Sequence, residues 1–117
     1  MLRSVQAFVV QAQLRLRAGI DPAAVGAAVT TELCGHWEHE GPCRWPHNNQ
    51  IEPDADGFTF RTLFVAPSEE EDDVRRRIDD ALRRSDAWEV CAIVSRDVAP
   101  SETALATRLA GSRGSAE

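Results

Sequence analysis

From Phe8 to Ala18 the even positions are apolar (Phe8, Val10, Ala12, Leu14, Leu16, Ala18), while Gln11, Gln13, Arg15 and Arg17 fill the odd ones. Alternation with period two belongs to a strand with one buried face. A helical stripe through Val5, Phe8, Val9, Ala12 and Leu16 competes with it, and the strand is preferred. Gly19-Ile20 turns the chain, and Asp21-Pro22 opens a helix: Asp accepts a bond from a free first-turn amide, and Pro stands where no donor is needed. Val25, Val29 and Leu33 then recur every four residues, which predicts a helix of about 12 residues ending near Leu33-Cys34-Gly35.

Gly35, Gly41, Pro42 and Pro46 keep residues 35–46 out of any single regular element. His47 to Pro53 is polar and extended, Asp54-Ala55-Asp56-Gly57 is a turn signature, and Phe58 to Val65 is rich in aromatic and β-branched residues. The pair reads as a hairpin whose polar, proline-bearing member suits a sheet edge. Ser68 with Glu71 predicts a capping box, and Val74, Ile78, Ala81 and Leu82 line one face of the helix that follows. Its acids and arginines pair four apart on the solvent side (Asp72–Arg76, Asp73–Arg77, Arg75–Asp79, Arg76–Asp80, Asp79–Arg83 and Asp80–Arg84), a solvated helix face. Trp88 to Val94 reads as a buried strand with Cys91 a small buried hydrophobe within it. Ser101 opens a last helix with Leu105 and Leu109 inside and Gly111 as its stop.

Strand, helix, strand, strand, helix, strand is the ferredoxin-like β-α-β-β-α-β order, an α+β fold with a four-stranded antiparallel sheet, two helices on one face and an extra C-terminal helix. A single domain over residues 1–111 with a loose tail at 112–117 is expected. The open sheet face needs a cover, and the last helix or a second copy of the chain, making a homodimer, are the two candidates.

The 117 residues suit one core, and no apolar run reaches the roughly 18 to 20 residues that cross a bilayer, so no membrane partner is expected. The start of the chain lacks the features of a secretory signal, and the expected location is cytoplasmic. A net charge of −6, with all thirteen bases Arg, works against nucleic acid, because phosphate neutralisation supplies much of that affinity. Gly57-Phe58-Thr59-Phe60 stands where RNA-recognition motifs carry a Gly-aromatic-x-aromatic signature, but Asp56 and Arg61 depart from that pattern, and no nucleic-acid partner is expected.

The chemistry gathers in Cys34-Gly35-His36-Trp37-Glu38-His39-Glu40-Gly41-Pro42-Cys43-Arg44-Trp45-Pro46-His47. This stretch holds all three histidines and two of the three cysteines. Thiolate and imidazole are the donors that borderline-soft cations prefer, and four of them close a zinc site. Cys34, His36, His39, Cys43 and His47 are therefore candidate ligands for zinc or another divalent transition metal. The spacing matches neither paired Cys-x2-Cys knuckles nor a zinc finger. With three protein ligands and one open position the ion would activate water, with Glu38 or Glu40 as the base. Alternatives are a cofactor-free enzyme of the dimeric ferredoxin-like barrel type, with Trp37, Trp45, His47, Asn48 and Asn49 lining its pocket, or a metal-free protein-interaction module. An odd number of cysteines excludes a full disulfide framework within one chain, and in a cytoplasmic chain cysteine more often means metal, catalysis or burial.

Overall fold

In the computed structural model, which describes residues 5–34 and 45–114 (the side chains of 112–114 excepted), seven elements follow one another. They are β1 (Val5–Leu16), α1 (Ala23–Cys34), β2 (His47–Asp54), β3 (Gly57–Pro67), α2 (Glu71–Arg84), β4 (Trp88–Arg96) and α3 (Thr103–Gly114). The strands form one sheet in the order β2-β3-β1-β4, and every neighbouring pair is antiparallel. This is an α+β protein with a four-stranded antiparallel sheet and three helices.

The period-two strand is real. Val10, Ala12 and Leu14 point to the same side as their partners Thr62, Phe60 and Phe58 on β3. They pack there against Val25, Val29 and Leu33 of α1 and Val74, Ile78 and Leu82 of α2, all buried. Removing each of these Val, Leu and Ile side chains from water contributes about 1.5 to 3 kcal/mol, so this face is the main source of stability. Trp88 completes it, its buried indole N–H donating to Leu82 O at 2.8 Å. α1 begins as its sequence demands, with Ala23 N donating to Asp21 Oδ1 at 3.0 Å. The hairpin turns at Ala55-Asp56 between paired Asp54 and Gly57. Gly57 has φ +140°, and a Cβ there would stand 2.3 Å from Leu14 O, so this turn tolerates only glycine.

Four expectations are corrected. The capping box at Ser68 and Glu71 does not form: Ser68–Glu70 tightens into a 3-10 turn, and neither Pro67 nor Glu70 caps with its side chain. The Glu71 amide is instead satisfied by Ser68 O, and its carboxylate accepts from Arg75 at 2.7 Å. The arginines of α2 are not simply a solvated face. Arg75 stacks over the Phe8 and Phe64 rings at 5.7 Å, while Arg77 and Arg84 reach Glu32 of α1 at 3.5 and 3.0 Å. Cys91 is exposed, and β4 is buried on one side at most, because it is an edge strand whose register with β1 shifts between Gln13 and Leu14, leaving Cys91 unpaired at the bulge. Gly111 does not end α3, which continues to Gly114.

The sheet face opposite α1 and α2 receives the last helix: α3 packs on β3 and β1, with Leu105 and Leu109 half-buried. Its start is fixed by a two-pronged ion pair. Arg61 of β3 donates through Nε to Glu102 Oε2 at 2.9 Å and through Nη2 to Oε1 at 2.7 Å, and also reaches Gln11 Oε1 and Asp97 O. Hydrogen bonds from Arg61, helped by the Ala99 amide, lower the Glu102 pKa to about 2. A carboxylate depressed in the folded state stabilises above its unfolded pKa and loses that contribution as pH falls through the folded value. In urea unfolding across pH, the stability margin of the native chain over Glu102→Gln is therefore expected to be constant above pH ~5 and to shrink between about 4.5 and 2. A margin that does not change over that interval would contradict the assignment.

Candidate functional site

Two stripes run along α1, one residue apart. Val25, Val29 and Leu33 face the core, and the stripe displaced by about 100° carries Gly26, Thr30 and Cys34. This second stripe faces the edge strand β2, where alternation sends His47, Asn49 and Ile51 to the helix side. A chain of hydrogen bonds joins the two elements. The Asn49 amide donates to Gly26 O and to Thr30 Oγ1, each at 3.1 Å. Thr30 Oγ1 lies 2.9 Å from His47 Nε2, and His47 Nδ1 lies 2.9 Å from Trp45 O.

The directions follow from chemistry. A carbonyl oxygen only accepts, so Nδ1 carries a proton, and in the neutral ring Nε2 accepts the Thr30 hydroxyl proton. Gly26 permits the approach, since a Cβ there would meet Asn49 Nδ2 at 3.2 Å. Two buried atoms complete the picture: Asn49 Oδ1 and Thr62 Oγ1 stand on residues paired across β2 and β3, and neither has a hydrogen-bond partner among the described residues.

Trp45 anchors the chain as it enters β2. It is 2% exposed, its indole N–H donates to Glu70 Oε1 at 2.8 Å, and the Arg77 guanidinium lies 5.1 Å from its ring centre. Pro46 O accepts from Val65 N at 3.1 Å, carrying the pairing one step past the strand.

Of the residues singled out by sequence, His36, Trp37, Glu38, His39, Glu40 and Cys43 lie outside the described residues. The structure brings Cys34 and His47 to the same end of the α1–β2 seam: Thr30 touches His47 and precedes Cys34 by one helical turn, about 6 Å. Cys34 is disulfide-bonded, whereas Cys91 is free. A disulfide sulfur bears no thiolate charge, so Cys34 can ligate an ion only once reduced. Nor is His47 Nε2 idle, because a metal there has to displace the Thr30 hydroxyl. Trp45 is too buried to line an open pocket. Asn48 and Asn49 point to opposite faces of the sheet, so they do not share a pocket wall. No group of three His, Cys, Asp or Glu side chains poised around a common point occurs among the described residues.

A cleft of about 300 Å³ opens between α1 and β2, lined by Gly26, Thr30, Asn49, Ile51 and Phe60 among others. Its lining among the described residues offers no acid or base, and the one hydroxyl there, Thr30, is committed to His47 and Asn49. No family model, curated protein or solved structure matches the chain. The chemistry therefore has to be argued from these residues alone.

The sequence expectation does not include Gly26 and Thr30, although their spacing with Cys34, four residues each, is a legible signal of a second, small and polar face. The arrangement predicts the state of His47. Long-range proton–nitrogen NMR, assigned with a His47→Gln control, is expected to find the neutral ring protonated at Nδ1 and bare at Nε2. A ring protonated at Nε2 would contradict the hydrogen-bond chain.

Proposed function

We propose that the chain is a small metal-binding α+β protein, with zinc as the ion, held by donors drawn from Cys34, His36, His39, Cys43 and His47. One observation supports this: Cys34 and His47, the two ends of the segment bearing the other three donors, lie at the same end of the α1–β2 seam, His47 touching Thr30 one helical turn before Cys34. Donors at the two ends of a short segment are held ready before any ion arrives, which lowers the entropy lost on closing the site. Reduced thiolates and neutral imidazoles suit zinc at about 2.0 to 2.3 Å. Four such ligands make a structural site. Three leave a position for water, and Glu38 or Glu40 is then the base within reach.

The same reading takes the fold as ferredoxin-like. The sheet order β2-β3-β1-β4, with each β-α-β crossover skipping one strand, supports that arrangement. A reducing compartment such as the cytoplasm would keep Cys34 a thiol and competent to bind.

The Cys34 disulfide favours a second reading, a metal-free interaction module in which that bond, rather than an ion, ties down the end of α1. An enzyme made of two open sheets facing each other has less to support it, since α3 lies on the face such a pocket needs.

Metal analysis of protein purified without a histidine tag, in a thiol-free phosphine reductant, separates the readings. The metal site predicts about one equivalent of zinc in the reduced protein, falling at least severalfold in the oxidised protein and in Cys34→Ser or His47→Gln. Less than about 0.2 equivalents in the reduced protein, with no rise after adding zinc, would end the metal reading.

A further inference from the structure

The two edges of the sheet are unlike. β2 ends in Glu52, Pro53 and Asp54, two charges and a residue without an amide proton, the usual means of blunting an edge. β4 has no proline, and its middle, Val90-Cys91-Ala92-Ile93-Val94, is an uncharged apolar run with high strand propensity. Among the described residues β4 pairs with β1 on one side only, and Val94, at 40% exposed, is the one large exposed hydrophobic side chain. Such an edge is a template for another strand.

Charge selects which strand. Glu89 and Arg96 flank the apolar run, and both side chains lie on the α3 side of the sheet, Glu89 paired in register with Arg15 and Arg96 with Val9. Neither has an ion-pair partner among the described residues, and Arg15 forms none with Glu89 despite standing across from it. Arg96 lies three residues after Ile93 and Glu89 four before it, and the extra residue is the one inserted at the Cys91 bulge. Around a two-fold axis at Ile93 these offsets become equal.

We propose that β4 is a homodimer interface, in which two copies of this chain pair β4 antiparallel about Ile93 to make a continuous eight-stranded sheet. In that register Arg96 faces Glu89 of the partner subunit twice over, and Val94 packs against the two bulge residues, Cys91 and Ala92, of the other copy. Opposite charges directly across a strand pair stabilise it and like charges oppose it, so the register is chosen by its ends as well as by its apolar centre. The interface is isologous, as two-fold pairing requires. It leaves the α1–β2 seam free, and so stands apart from metal binding.

Sedimentation velocity from about 1 to 100 µM at low salt tests the pairing. The native chain is expected to reach the dimer mass within that range. Glu89→Arg and Arg96→Glu, both exposed changes, are each expected to weaken dimerisation roughly tenfold or more by setting like charges opposite one another. The double variant Glu89→Arg/Arg96→Glu restores opposite charges in the same register and should return to within about threefold of the native dissociation constant. Circular dichroism checks that each variant is folded. A monomer at every concentration, a dimer indifferent to the single substitutions, or a double variant as weak as the singles would each overturn the proposal.

Discussion

The side of the molecule that carries chemistry depends on a short polar seam between a helix and an edge strand. Among the described residues β2 has a strand neighbour on one side only, and its sequence is too polar to be held by apolar burial. What fixes it against α1 is the run of hydrogen bonds from Gly26 O through Asn49 and Thr30 to His47 and Trp45 O. These bonds are partly shielded from water, where a satisfied polar network confers a single arrangement and a broken one leaves costly orphans. The glycine at position 26 is what lets the strand come close enough. Given that seam, the two ends of the segment between α1 and β2 have nowhere else to be, and the positions of Cys34 and His47 follow.

The opposite face of the sheet is governed by a different device. Its apolar half is covered by α3, and the placement of that helix depends on Arg61, which gives a two-pronged bond to Glu102 while reaching Gln11 and a backbone carbonyl. The remainder is paved with polar contacts, such as Gln13 to Asp54 at 3.1 Å. With one face occupied by α1 and α2 and the other by α3, the edges are what the sheet has left to offer. One edge is blunted and the other is not.

Much of the fold was legible because its signals are local. Alternation from Phe8 onward gave β1, Asp21-Pro22 gave the start of α1, and Asp54 to Gly57 gave the hairpin, each through chemistry contained within a few residues. The failures share the opposite character. Whether Ser68 caps α2 or yields to a 3-10 turn depends on how the chain leaves β3. An apolar run such as Val90 to Val94 looks the same at the centre of a sheet as at its rim, so Cys91 was placed inside when a bulge on an edge strand exposes it. Arg75 reads as a surface charge, yet from α2 it lies across two phenylalanine rings, Phe8 of β1 and Phe64 of β3. As for the candidate site, the clustering of cysteine and histidine was visible in composition. The partners of His47 were not, since Thr30 and Gly26 matter only once β2 lies beside α1. The bond at Cys34 was not legible, since an odd cysteine count excludes a full framework yet still allows a single pair.

The seam is the claim on which the site stands, and a double-mutant cycle on Thr30→Val and Asn49→Ala, read by urea unfolding, tests it most directly. Each single change strands a polar group that had been satisfied and is expected to cost about 1 to 3 kcal/mol. Because the two residues share a bond, the double variant should be less destabilised than the sum, by about 1 kcal/mol. Costs that add to within about 0.3 kcal/mol would mean that the two side chains act independently and that no such seam holds β2 to α1.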